Sequence, residues 1–275
     1  LGIYSSPGPN TCAGYEGTYG HEEQDAKTWA SWGIDYLKYD WCGARNIYSD
    51  EEMQAVYQKM GEALHKAGRP IVYSLCQYGR ADVWKWGPEV SGNLWRTTGD
   101  IRDSWDSMMK IGFSQNELAQ WAAPGHFNDP DMLEIGNGGM TENEYRVHMS
   151  LWSILTAPLI AGNDLRSMTQ GIKDILMNRE VIAIDQDKAG KQGRRVSGEG
   201  EQEVWAKDLA DGARAIGLFN KSEKASKMTV KWSEAGLKGT PKHVRDLWAH
   251  ADVNASGEAW SGEVPGHGVV LLRAK

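Results

Sequence analysis

The sequence predicts an α/β fold, a parallel sheet of alternating strands and helices, followed by a smaller antiparallel β domain. Three observations carry this. Short apolar runs alternate about six times with segments of helical periodicity. Several of those runs stop at a polar or charged residue and then enter a loop, as buried parallel strands do at their C-terminal tips. Near Lys191–Arg195 the pattern changes to short strand-like runs separated by turn signals such as Ala210-Asp211-Gly212. A division into residues 1–190 and 191–275 follows.

The elements take shape in chain order. Leu1–Tyr4 reads as a strand, and Ser5–Gly20 is a Gly/Pro/Ser-rich loop carrying Cys12. Glu22–Trp32 fits a helix with Ala26, Trp29 and Ala30 on one face and Gly33 as its stop. Ile34–Tyr39 then runs as a strand into Asp40 and Cys42. Ser49 and Glu52 have capping-box spacing ahead of a helix whose Met53, Val56, Tyr57, Met60 and Leu64 recur at helical intervals. Ile71–Leu75 is a strand ending at Cys76 and Gln77. Asn93–Arg96 is another, with Thr97–Asp100 at its tip, and helix Arg102–Lys110 follows. Phe127–Met132 is a further strand end. The glycine loop after it, Gly136–Gly139, lacks the Lys-Ser/Thr of a phosphate cradle. Thr141 and Glu144 cap a helix bearing Tyr145, Met149 and Trp152; Leu159–Ala161 is the next strand, and Gly171–Ile184 is helical. In the second part Val204–Leu209, Ala213–Phe219, Met228–Trp232, Val244–Leu247 and Gly268–Leu272 are strands.

Composition excludes several functions. The net charge is −7 and no Lys/Arg block is present, so nucleic acid is not an expected partner. The longest apolar stretches, such as Leu151–Ala161, are broken by Ser, Thr and Pro, so no segment is expected to span a membrane. No leader peptide is visible, but the first residue falls inside a strand, so this carries no weight. Three cysteines and seven histidines form no metal-ligand spacing, and no cofactor is expected. One disulfide with one free thiol is the simplest arrangement, and three buried thiols is the alternative. Thirteen Trp against three Phe is an unusual balance; Trp-rich clefts stack sugars, although Trp is also core material.

The chemistry centres on Asp40 and Asp100, each at the end of a predicted strand. In a barrel of alternating strands and helices, such tips share one face. A pair of carboxylates is what glycoside hydrolysis needs, one to attack or activate water and one to protonate the leaving oxygen. Strand-end aspartates also bind metals and cap helices, so the pair alone leaves these readings open.

Longer motifs narrow the choice. Tyr36-Leu37-Lys38-Tyr39-Asp40-Trp41-Cys42, Trp95-Arg96-Thr97-Thr98-Gly99-Asp100-Ile101 and Asn128-Asp129-Pro130-Asp131-Met132-Leu133 occur in that order. With Ala157-Pro158-Leu159 and Asn178–Ala183 they closely resemble the α-galactosidases of glycoside hydrolase family 27, in the melibiase clan. The resemblance runs through nearly the whole chain. It implies a (β/α)8 TIM barrel, here incomplete at the N-terminus, followed by a C-terminal antiparallel β-sandwich. It implies Asp40 as nucleophile and Asp100 as acid/base of a retaining exo-α-galactosidase acting on terminal α-D-galactosyl residues. Lys38 and Arg96 match residues that hydrogen-bond sugar hydroxyls. Cys12 and Cys42 match a bridged pair, which implies a secreted or periplasmic protein. Cys76 matches a cysteine whose usual partner position holds Gly92, so it is expected as a free thiol in the pocket wall. Met132 is expected at the pocket or in the core. The resemblance also implies that Gln77 and Tyr78 stand in the loop where specificity at the sugar's 2-position is set.

Physical requirements match these roles. Lys38 would favour an ionised nucleophile, whereas an acid needs a more desolvated or more negative setting. Arg96 offers a rigid fork suited to vicinal hydroxyls, or a structural salt bridge. Asp129 before Pro130 reads as turn chemistry and Asp131 as a loop anchor. Family members begin with two further strand–helix units, carrying a Trp and an Asp-Asp pair for the 4- and 6-hydroxyls. A truncated or cleaved chain is expected; a second chain completing the barrel or a loss of activity are the alternatives. The other functional readings are α-N-acetylgalactosaminidase, β-L-arabinopyranosidase and a non-catalytic carbohydrate-binding remnant.

Overall fold

The computed structural model describes all residues, Leu1–Lys275. They pack as two units, Leu1–Asp100 with Gly125–Asp129, and Ile101–Pro124 with Pro130–Lys275.

The first unit holds one parallel sheet of five strands: β1 (Gly2–Ser5), β2 (Tyr36–Asp40), β3 (Val72–Cys76), β4 (Leu94–Arg96) and β5 (Phe127–Asp129), hydrogen-bonded in sequence order. Helices α1 (Glu22–Ser31), α2 (Met53–Lys66) and the single-turn α3 (Val83–Trp86) connect the first four. Side chains alternate between the two sheet faces. Leu37, Tyr39, Tyr73, Leu75 and Trp95 lie on one face and join Ala26, Trp29, Met53, Tyr57, Met60 and Leu64 of the helices in one apolar core. Trp41 stacks on Tyr57 at 5.6 Å, and Tyr57 and Tyr73 donate their hydroxyls to the carbonyls of Tyr39 and Tyr57. These two hydroxyls are thus satisfied within the aromatic core. The opposite face carries Lys38 and Asp40 from β2, Ser74 and Cys76 from β3, and Leu94 and Arg96 from β4.

Two boundaries differ from expectation. Glu52 accepts the Ser49 amide at 2.9 Å, half of a capping box, but α2 starts only at Met53, because Asp50–Glu52 form a turn. The helix expected from Arg102 begins at Trp105, where Ser104 supplies the cap.

The second unit contains α4 (Trp105–Phe113), α5 (Glu142–Leu155), α6 (Gln170–Leu176) and α7 (Arg179–Asp185). Thr141 and Glu144 form the expected reciprocal box, and α5 is buried along most of its length. The helix expected over Gly171–Ile184 is two helices. Asn178 interrupts it by accepting the Glu180 and Val181 amides and starting α7. Leu159–Ala161 is no strand: Ala161 makes a single parallel bridge to Leu133.

Antiparallel strands complete this unit: β6 (Arg194–Ser197), β7 (Gln202–Asp208), β8 (Arg214–Asn220), β9 (Ser226–Lys231), β10 (Val244–Asp246), β11 (Ala251–Asp252), β12 (Ala259–Val264) and β13 (Gly268–Ala274). Six lie in the order β11-β10-β13-β8-β7-β6, and β12 pairs with β9. Lys207 of β7 is buried and donates to the carbonyls of Ile184 at 2.6 Å and Ser153 at 3.1 Å, tying the ends of α7 and α5 to the sheet. Burial pushes its ammonium down and the neighbouring Asp185 carboxyl up.

His148 of α5 is fully buried and accepts the Glu134 amide on Nε2 at 3.1 Å; burial lowers its pKa from 6.5 to about 3. The unfolded chain therefore binds this proton first. The stabilisation is complete above pH 6.5 and is lost as pH falls from 6.5 through about 3. His148→Gln, which keeps an acceptor and cannot titrate, is expected to flatten this part of the stability–pH curve. The difference should be on the order of a few kcal/mol, read by urea unfolding across that range.

Candidate active site

The parallel register builds the site. Asp40 pairs with Cys76, and Arg96 with Asp129, by Cα register at the C-terminal ends of β2, β3, β4 and β5. One layer below, Tyr4 of β1 pairs with Lys38, and Lys38 with Ser74. The sheet thus brings Asp40, Lys38, Cys76 and Arg96 to one face, as the sequence predicts.

Asp40 is buried (4 % exposed) and accepts a hydrogen bond from the Tyr78 hydroxyl on Oδ1. The disulfide Cys12–Cys42 joins residues 30 positions apart and lies beside it, with Cys42 Sγ 3.4 Å from the same oxygen. Burial, then Asp40, hold the Tyr78 phenol well above its ordinary value, so it remains a donor. Lys38 makes no ion pair with Asp40; its ammonium sits 6.0 Å from the centre of the Tyr4 ring. Tyr4 is a residue the sequence reading missed. Its hydroxyl lies 2.8 Å from Cys12 Sγ, and burial and the Asp40 charge raise its pKa. The available signal was register: a residue aligned with Lys38 on the preceding strand shares its face.

Asp100 departs from expectation. It is not desolvated, being 74 % exposed, and accepts from Arg96 Nη2 at 3.1 Å. Thr97–Asp100 turn back over the strand tip, which puts the carboxylate within reach of the guanidinium four residues earlier. Arg96 is itself 2 % exposed and also donates to the Thr98 carbonyl at 3.3 Å, with Cys76 Sγ at 3.8 Å. One nitrogen of its fork, Nη2, thus makes the salt bridge. Cys76 is a buried free thiol, and burial followed by Asp40 raises its pKa, which keeps it protonated.

Gln77 is fully buried. Its Nε2 donates to the Arg96 carbonyl at 3.4 Å and its Oε1 has no partner. Asp129 receives the Thr97 amide on its carbonyl at 3.0 Å. In the other unit, Asp131 accepts the amides of Ile101 and Met132, both at 2.9 Å, which is the expected loop anchor. Met132 packs against that unit's own apolar core. Cys12, Cys42 and Asp40 present three potential metal-ligand atoms within 4.8 Å, but both sulfurs are spent in the disulfide and no thiolate is available.

Residues 1–187 match the family model described as alpha galactosidase A, and residues 199–274 match the alpha galactosidase C-terminal beta sandwich domain. The chain is 47 % identical over 269 residues to an α-galactosidase of Cyamopsis tetragonoloba, covering 97 % of this chain and 64 % of that protein. It thus spans less than two thirds of that relative's length. The crystal structure of α-galactosidase I from Mortierella vinacea superposes with a TM-score of 0.94 at 38 % identity, over 99 % of this chain and 76 % of that one. An α-galactosidase from Saccharomyces cerevisiae solved with raffinose gives 0.89 at 26 % identity, over 100 % and 79 %. A β/α part with carboxylates at its strand tips and an antiparallel sandwich after it define a glycoside hydrolase fold. Within that class, the chain belongs to the α-galactosidases of glycoside hydrolase family 27.

The disulfide stitches the loop after β1 to the end of β2. Closing a loop of this length constrains the unfolded chain by about 3–4 kcal/mol in the chain-entropy model. Cys12→Ser is expected to lower the unfolding free energy by about that amount, and protein isolated without reductant should show one reactive thiol, Cys76, after denaturation. Thiol titration of the denatured protein checks the count.

Proposed function

We propose that the protein is a retaining exo-α-galactosidase that releases terminal α-D-galactose by double displacement. The observation that carries this is the delivery of two aspartates, Asp40 and Asp100, from the tips of β2 and β4 of one sheet. An Asp40 oxygen attacks the anomeric carbon while Asp100 gives its proton to the departing glycosidic oxygen. Asp100 then takes a proton from water, which attacks the same carbon and frees Asp40. The exposure of Asp100 suits exchange with water, and its bond to Arg96 fixes where it stands. Cys76 and Lys38 wall the same face, and Arg96 orients the acid. The names of three relatives, α-galactosidases at 42 to 47 % identity, support the choice of sugar.

The catalytic part is assigned to residues 1–190 and the β domain to 191–275. Support comes from the change between parallel and antiparallel sheets and from the spans of the two family models. A secreted or periplasmic location is proposed because the Cys12–Cys42 disulfide needs an oxidising compartment; no helix is long and apolar enough to cross a membrane.

Proton NMR of an aryl α-galactoside digest is expected to show the α anomer of galactose first, with the β anomer appearing only by mutarotation. Asp40→Asn should abolish turnover without changing the thermal transition. Appearance of the β anomer first would replace retention by inversion.

Specificity at the 2-position follows from Gln77 and Tyr78. Both side chains are bulky and polar, so an acetamido group is expected to clash with them or to leave a polar group of this loop without a partner. A buried unpaired polar group costs about 1–3 kcal/mol, so kcat/KM for α-galactosides should exceed that for α-N-acetylgalactosaminides by roughly 5- to 150-fold, before any steric term. Equal values on the two nitrophenyl substrates would reverse the assignment of this loop.

A further inference from the structure

We propose that Tyr78 is a further catalytic residue, whose hydroxyl holds Asp40 Oδ1 and acts mainly in breaking down the covalent intermediate. This rests on the retaining reading above.

The backbone delivers the hydroxyl at a conformational cost. After β3, Tyr78 takes φ +63° and Gly79 φ +77°, and Ala81 and Asp82 follow at +53° and +50°. Three of these four are side-chain-bearing residues in the left-handed region, which L-residues disfavour. Gly79 presses against the tip of β4: its amide donates to the Arg96 carbonyl at 3.1 Å, and a Cβ on it would lie 2.1 Å from the Thr97 carbonyl oxygen. The turn is therefore fixed from both sides, and it aims one phenol at one carboxylate.

The surroundings leave that phenol a single strong acceptor. Cys42 Sγ at 3.2 Å and Cys12 Sγ at 3.9 Å are disulfide sulfurs, which accept hydrogen bonds weakly. Asp40 Oδ1 takes the proton donation. Tyr4 shares this carboxylate: its hydroxyl lies 2.8 Å from Cys12 Sγ, and burial, then the charge of Asp40 and hydrogen bonding to it, raise its pKa. With Oδ1 held, Oδ2 is the oxygen that attacks.

The direction of the effect follows from charge. In the first step Oδ2 bonds to the anomeric carbon, the bond to the aglycone breaks, and the aglycone leaves with the Asp100 proton. Oδ1 becomes an ester carbonyl and loses charge, so the Tyr78 bond weakens. In the second step water attacks, Asp100 takes its proton, and the carbon–Oδ2 electron pair returns to the carboxylate. Charge on Oδ1 grows, the Tyr78 bond strengthens, and the barrier falls. Tyr78 keeps its own proton throughout.

Pre-steady-state hydrolysis of 2,4-dinitrophenyl α-galactoside tests this. A bond to a charged group is worth about a 10- to 150-fold factor. Tyr78→Phe is expected to lower kcat by about that factor with kcat/KM changed much less, so that KM falls with kcat. A burst of about one dinitrophenolate per chain should appear, with a galactosyl adduct in the intact mass of the quenched enzyme. Replacement of Tyr78 by 3-fluoro- and 3,5-difluorotyrosine, which keeps shape and folding, should raise kcat in step with phenol acidity wherever breakdown limits turnover. Wild-type protein without turnover of any aryl α-galactoside would overturn the functional reading and this role together. An active wild type with equal losses in kcat and kcat/KM and no burst in Tyr78→Phe would overturn this role alone.

Discussion

A buried guanidinium sets the terms for everything at the strand tips. Arg96 ends β4 with 2 % exposure, where an uncompensated charge could not persist. Its partners include the Asp100 carboxylate, the Thr98 carbonyl and, more loosely, the Cys76 sulfur. The turn that follows β4 comes back over its own strand, and the contact with Arg96 helps to hold Asp100 there. The loop after β3 leans on the same strand end, since Gln77 and Gly79 both donate to the Arg96 carbonyl. One residue thus organises the two loops that carry Asp100 and Tyr78.

The other face of the sheet makes this arrangement tolerable. A polar row on five strands contributes little to folding, so the stabilisation comes from the helix side, where Tyr39, Trp41, Tyr57, Tyr73 and Trp95 pack with the apolar faces of α1 and α2. Those large rings bury much area each, and the Tyr57 and Tyr73 hydroxyls find carbonyls within the same core. The division of labour is strict: each strand spends alternate residues on stability and on the reactive row.

Much of this was legible in the sequence because both signals are local. Strand periodicity and abrupt polar ends located β2, β3, β4 and β5, and Asp40 and Asp100 stood out by position. What was not legible depends on distant partners. The exposure of Asp100 is set by how the turn folds onto Arg96. Tyr4 enters only through its register with Lys38. In the antiparallel part, β6, β11 and β12 carry Arg, Ser, Gly, Asp or Glu where an apolar run would mark a strand, and their neighbours hold them in place. Conversely, the apolar run Leu159–Ala161 has only one bridging residue. Asn178 was a readable signal, since an Asn two residues before Glu180 fits a helix start, yet the flanking apolar periodicity hid the break.

The two-faced alternation also bears on how such a chain can diverge. Inserting or deleting one residue within β2 would exchange its faces, sending Lys38 and Asp40 into the aromatic core and Leu37 and Tyr39 onto the polar side. A change of two residues would preserve the faces but move the carboxylate by roughly 6–7 Å along the strand, away from Cys76 and Arg96. Length variation among descendants is thereby confined to the loops, and the interior of β2 can accept only substitution.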